Sequence, residues 1–162
     1  MMESYRDNGA IGALLDEYEK AISELQILIK AISQEDLIAI VDPDTKDPDC
    51  RSMQTILTHV VSSGYGYATT IRAHLGESIE RPPKVALENS QAYIESLSAM
   101  FKFNEQLFID YPKIQLEETD PEKKMLTTWG QRFDVDQLIE HAIMHILRHR
   151  RQIERFQLKL SE

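Results

Sequence analysis

Two histidines four residues apart, His145 and His149, with His141 four residues ahead of them, are the chemically distinctive feature of this 162-residue sequence. On an α-helix, side chains at i and i+4 project from one face with Cβ atoms about 5–6 Å apart. That spacing lets two imidazoles share one cation. Read in heptads, Val135, Leu138, Ala142, His145, His149, Gln152 and Phe156 form one seam, spaced alternately three and four. A second row, Ile139, Ile146, Ile153 and Leu160, flanks the seam and predicts that it points inward. His141 lies one position off it, beside Arg148 and Arg155. A buried imidazole has two ring nitrogens to satisfy and resists protonation, so two on a core seam need partners that apolar neighbours do not supply. A divalent ion satisfies both at once; water or carboxylates are the alternative. A metal site also wants at least a third ligand.

His59 is the candidate for that ligand. It stands in Ile56-Leu-Thr-His-Val-Val-Ser-Ser-Gly-Tyr-Gly-Tyr67, where Ser62, Ser63 and Gly66 would leave open space beside the imidazole. The same small residues would equally permit close helix packing, with His59 an ordinary polar neighbour. His74, in a last helical turn before a glycine, is explained by the helix dipole and the terminal carbonyls. Tyr67, Trp129 and Gln152 are the candidates for lining a ligand pocket: Tyr67 two turns beyond His59, Trp129 over its mouth, and Gln152 orienting a ligand or a bound water. Packing and polar-seam roles account for the same three residues. No carboxylate stands out as a general base: Glu140 and Glu154 fall on the outer face of the last helix, and the acidic stretch 42–49 suits either solvent or a site. Cys50 has no recognisable partner as a nucleophile.

Helices of the right length exist to carry these groups. Ile11, Leu15, Tyr18, Ile22, Leu25, Ile29 and Ile32 alternate at four and three and predict an amphipathic helix over 11–32. A short capped turn follows at 33–37, then a Pro- and Asp-rich loop over 42–50. A second helix is expected from about Ser52 to Leu75, ended by Gly76, and a third from about Leu87 to Asp110, stopped by Tyr111-Pro112. The connection 111–133 is long for a compact domain, and Met125 to Phe133 has the residues of an extended or hairpin element. Asp134 with Gln137 resembles a capping box that opens a helix running to about Leu160. Four long helices without βαβ alternation or repeats predict an all-α fold, a four-helix bundle in one domain spanning 1–162.

Composition narrows the function classes. With 18 Lys and Arg against 27 Asp and Glu the formal charge is -9, which disfavours a nucleic-acid binder. One cysteine makes neither an internal disulfide nor a cysteine metal cluster. Neither a signal peptide nor a membrane span is recognisable, so a cytoplasmic protein is expected. Ile143, Met144, Ile146 and Leu147 make the middle of the last helix apolar nearly all round, as a homodimer face or the seat of a packed loop would require.

Ser52-Met-Gln-Thr-Ile-Leu-Thr-His59, the run His141-Ala-Ile-Met-His-Ile-Leu-Arg-His-Arg-Arg-Gln-Ile153, and Trp129-Gly130 ahead of it together resemble the DinB-like (DinB/YfiT) family. The resemblance spans nearly the whole chain and implies an up-down-down-up four-helix bundle, often dimeric, with His59, His145 and His149 binding a divalent metal such as Zn²⁺ or Ni²⁺. It further implies a thiol S-transferase using a low-molecular-weight thiol, or a hydrolase-like enzyme, acting on a small molecule. Arg148 and Arg155 would then suit the carboxylates of an anionic thiol, or simply form a solvated stripe. Arg151 stands where the family commonly has glycine, and Met144 where it commonly has asparagine. A non-enzymatic metal-binding or stress-related bundle, and a degenerate apo interaction protein, are the alternatives.

Overall fold

The computed structural model describes residues 4–162 and is mostly helical. Four long helices, α1 (Gly9–Ile29), α3 (Met53–His74), α4 (Ser90–Asp110) and α5 (Val135–Leu160), are joined by a short α2 (Gln34–Ile38) and by loops. Two single-turn 3-10 helices at Pro48–Cys50 and Pro121–Lys123, and an antiparallel pair of two-residue strands, β1 (Met125–Leu126) and β2 (Arg132–Phe133), complete the chain. Each long helix packs on two others: α3 on α4 and α5, and α1 on the same two. No helix among the described residues is long and apolar enough to cross a membrane.

The helix starts follow from local capping. Ser52 and Asp134 each accept the backbone N–H three residues on, and Thr55 and Gln137 reach back to the cap N–H, closing two capping boxes. Asn89 caps α4 and Ser33 caps α2 in the simpler one-way manner. At the end of α3, Gly76 adopts the positive φ of 94° expected of it. The first helix is shorter than its periodicity: it ends at Ile29, and Ile32 is buried from the turn beyond. The expected turn at 33–37 is the small helix α2, with Leu37 buried beneath it.

The α1 seam is buried as its spacing requires. Along α5 the seam is buried from Val135 to Phe156 except for half-buried Gln152, and the flanking row is buried through Ile153. Leu160 departs from expectation: it sits in the last turn, beyond the neighbouring helices, and is exposed. The apolar belt of α5 is also largely covered. Ile146 is buried, Ile143 and Leu147 are half-buried beside Ala21 of α1, and only Met144 is exposed.

Two features fix α3 laterally. Gly64 faces Met100 of α4 so closely that a Cβ there would overlap the Met100 side chain, and Asn104 donates to the Gly64 carbonyl at 3.0 Å. At its C-terminal end, buried Arg72 pairs with Glu77 and Asp110, tying α3 to the end of α4. The α3 helix is thereby held against α4 on one side, leaving its other face for α5.

Candidate metal centre

The α3 and α5 helices bring His59, His145 and His149 together. The Nε2 atoms of His59 and His145 are 2.9 Å apart, and those of His145 and His149 are 3.2 Å apart. All three donor nitrogens lie within 4.8 Å of one another, the one such cluster of three or more His, Cys, Asp or Glu among the described residues. Nitrogen ligands arranged tetrahedrally at about 2.0–2.1 Å from Zn²⁺ stand roughly 3.3 Å from each other. Two of the three pairs in the cluster are already close to that spacing.

The outer nitrogens explain why the rings point inward. His59 Nδ1 faces Asp49 Oδ2 at 3.1 Å, and Asp49 also pairs with Lys84. His149 Nδ1 faces the side-chain oxygen of Gln152 at 3.0 Å. Each acceptor holds its ring with the proton on Nδ1, which leaves the Nε2 lone pair aimed at the cluster centre. His145 Nδ1 is buried without a partner. With the proton of His59 and of His149 on Nδ1, two inward Nε2 lone pairs converge on His145 Nε2, where the His145 ring proton or a cation relieves the repulsion, so the donor set fits a metal ion.

Electrostatics opposes any added positive charge on the rings themselves. Burial, reinforced by His149, His59 and Arg148, pushes the His145 pKa down to about 2. Burial also lowers His59, partly offset by Asp49, and lowers His149, partly offset by Gln152. The three rings are held neutral, the state in which imidazole is a ligand.

On one side the cluster opens into a cavity of about 630 Å³ lined by His59, His145, Tyr67, Trp129, His141 and a set of cationic side chains. Trp129 lies at the tip of the β1–β2 hairpin, where Gly130 takes a φ of 86°. Its ring stacks on His141, with centroids 5.1 Å apart and planes 21° apart, and Tyr67 meets both edge-on. Burial pushes the Tyr67 phenol up to about 12, so near neutral pH it is a proton donor and not a base. A second cavity, of about 550 Å³, lies at the C-terminal end of α3 against exposed His74, Leu75, Tyr111, Ile114 and Phe133. Among the described residues, no group of three His, Cys, Asp or Glu side chains converges there as the triad does.

Tyr67 and Trp129 thus line the cavity as their positions suggested. Gln152 does not: it sits behind the cluster, positioning His149, and its oxygen is also 3.8 Å from the Cys50 thiol. Cys50 accordingly has polar company after all, in Gln152 and Asp47, and burial pushes its thiol up. Arg155 is exposed outside the cavity, whereas Arg148 lines it. Ser62 does not leave open space, because the Arg81 guanidinium covers it and donates to its hydroxyl at 2.6 Å.

Sequence reasoning did not single out Asp49 within the acidic stretch 42–49, and it left Arg81 and Lys84 out of the site. Asp49 lies in a single 3-10 turn and the other two in a loop, where no periodicity marks which way a side chain points. The available signals were the acid-rich segment ten residues before His59 and the rigid Arg81-Pro-Pro-Lys84 run. No family model matches the sequence, and no curated protein matches it.

Proposed function

We propose that the chain is a divalent-metal-binding protein of the DinB-like kind, with His59, His145 and His149 as ligands and the adjoining cavity as the place where a small molecule reacts. The observation that carries this reading is the convergence of three Nε2 atoms beside an open cavity that His59 and His145 line. Three protein ligands and one open side are the arrangement of a catalytic site, whereas structural sites are closed by a fourth ligand. Asp49, the nearest carboxylate candidate for a fourth, is engaged on the outer side of His59 and by Lys84. The reciprocal packing of the four long helices supports the four-helix bundle, and the His-bearing α3 and α5 are neighbours in it.

A divalent ion held there, Zn²⁺ or Ni²⁺ by ligand type, supplies a Lewis acid that brings a bound water or thiol to ionise near neutral pH. The chain's own residues do the rest. Asp49 and Gln152 fix the ring orientations, Tyr67 presents a protonated phenol to the cavity, and Trp129 with His141 walls it from solvent. Transfer of a thiol to an electrophile, or hydrolysis, is the reaction class that such a site suits.

The deciding experiment is elemental analysis of protein purified without an affinity tag, beside His59→Ala and His149→Ala. Near-stoichiometric metal lost in both variants is expected. Wild-type protein that holds no metal and takes up neither Zn²⁺ nor Ni²⁺ would sink the reading.

A further inference from the structure

The chain as a whole is acidic, yet the wall of this cavity is not. Arg81, Lys84 and Arg148 line it, and its one carboxylate, Asp49, is consumed by His59 and Lys84. Among the described residues neither Arg81 nor Arg148 takes part in any ion pair. Both arginines are solvent-exposed, so each is free to take an anion that enters the cavity.

Their placement is built. Arg81 belongs to Arg81-Pro82-Pro83-Lys84, whose prolines fix the backbone, so that Arg81 and Lys84 leave the segment at a set separation. Arg81 is anchored by its bond to Ser62 and lies over Gly66, where a Cβ would come within 3.0 Å of the guanidinium. A glycine at 66 therefore makes room for the cation. Arg148 comes from α5, one residue ahead of ligand candidate His149. Both arginines line the cavity together with Tyr67. The stacked aromatic rings of Trp129 and His141 line the same cavity.

We infer that the cavity binds a small organic anion with a planar body, its carboxylate or phosphate held by Arg81 and Arg148 and its ring lying along Trp129. A guanidinium is the side chain best suited to the two coplanar oxygens of such a head, and a cavity of one sign draws anions in. The inference rests on the reading of this cavity as the working face of the histidine cluster, and it names the class of molecule that face receives.

Trp129 is the one tryptophan of the chain, so its fluorescence reports from the cavity wall. The experiment is a titration of chelator-treated protein with benzoate, phenyl phosphate and neutral benzamide, repeated on Arg81→Gln, Arg148→Gln and, as a control on the same helix, exposed Arg155→Gln. Saturable change with benzoate or phenyl phosphate and not with benzamide is expected, the better of the two naming the head group. Each cavity variant should weaken it roughly tenfold or more, with Arg155→Gln unchanged and circular dichroism the same throughout. Equal response to benzamide, no saturable response to any of the three, or equal weakening by Arg155→Gln would overturn the assignment. Because the protein is stripped of metal, the result is independent of the elemental analysis: either reading can fail while the other stands.

Discussion

At the scale of single residues, the cluster is as much a matter of outer hydrogen bonds as of the three rings. Asp49 and Gln152 each hold one Nδ1, and partners in that position typically change metal affinity 10- to 100-fold. Asp49→Ala is therefore expected to weaken Zn²⁺ binding by about that factor, measured by competition with a chromophoric chelator, while Asp49→Asn, which keeps an acceptor oxygen, should lose less. Equal affinity in Asp49→Ala and the wild type would show that His59 orients itself. The histidines were legible because helical spacing fixes direction: positions 145 and 149 must share a face, and the rows beside them say which one. Asp49 was not, because it sits within a single 3-10 turn in a proline-containing connection, where the direction of a side chain is set by tertiary partners and not by spacing. Gln152 was noticed for its seam position, but a seam position does not distinguish a residue in front of the cluster from one behind it.

At the scale of elements, the helix boundaries were legible to within a few residues because punctuation is chemical: Ser52, Asp134, Gly76 and Pro112 each do something to the backbone that periodicity cannot hide. What stayed hidden was how the connections return to the helices, such as the hairpin carrying Trp129 onto His141. Asp134 joins these levels, since it caps α5, accepts from the Glu118 backbone at 3.2 Å and faces Lys124 at 3.4 Å. Burial alone would raise its pKa, but the N–H groups of Gln137 and Glu118 and the Lys124 ammonium outweigh it and hold the carboxyl below the usual range. A depressed folded pKa means stability that is present above the unfolded value of about 3.9 and is lost as pH falls through the folded one. Asp134→Ala should cost about 1 kcal/mol in urea unfolding near neutral pH, with the gap to wild type narrowing below about pH 3. A pH-independent gap would mean that the charge contributes nothing.

At the scale of the whole molecule, the cluster joins α3 to α5, two helices already in contact, at a sequence separation of 86. An ion that binds the folded chain and not the unfolded one adds stability by mass action, about 2.7 kcal/mol at a free concentration 100 times its Kd. For a domain of this size that corresponds to roughly 5 to 11 °C in Tm. Differential scanning calorimetry with and without added Zn²⁺ should show such a rise for the wild type and none for His59→Ala; an equal rise in both would place the ion elsewhere. The long span has a further consequence, for lifetime. The loops at 42–50, 76–89 and 111–133 all lie between or beside the two helices that the cluster joins. A cation across His59 and His145 is a removable cross-link, and the openings that expose those loops to a protease are the ones it suppresses. The rate at which the chain is degraded would then follow the metal supply around it, and a population starved of the ion would shrink without any change in synthesis.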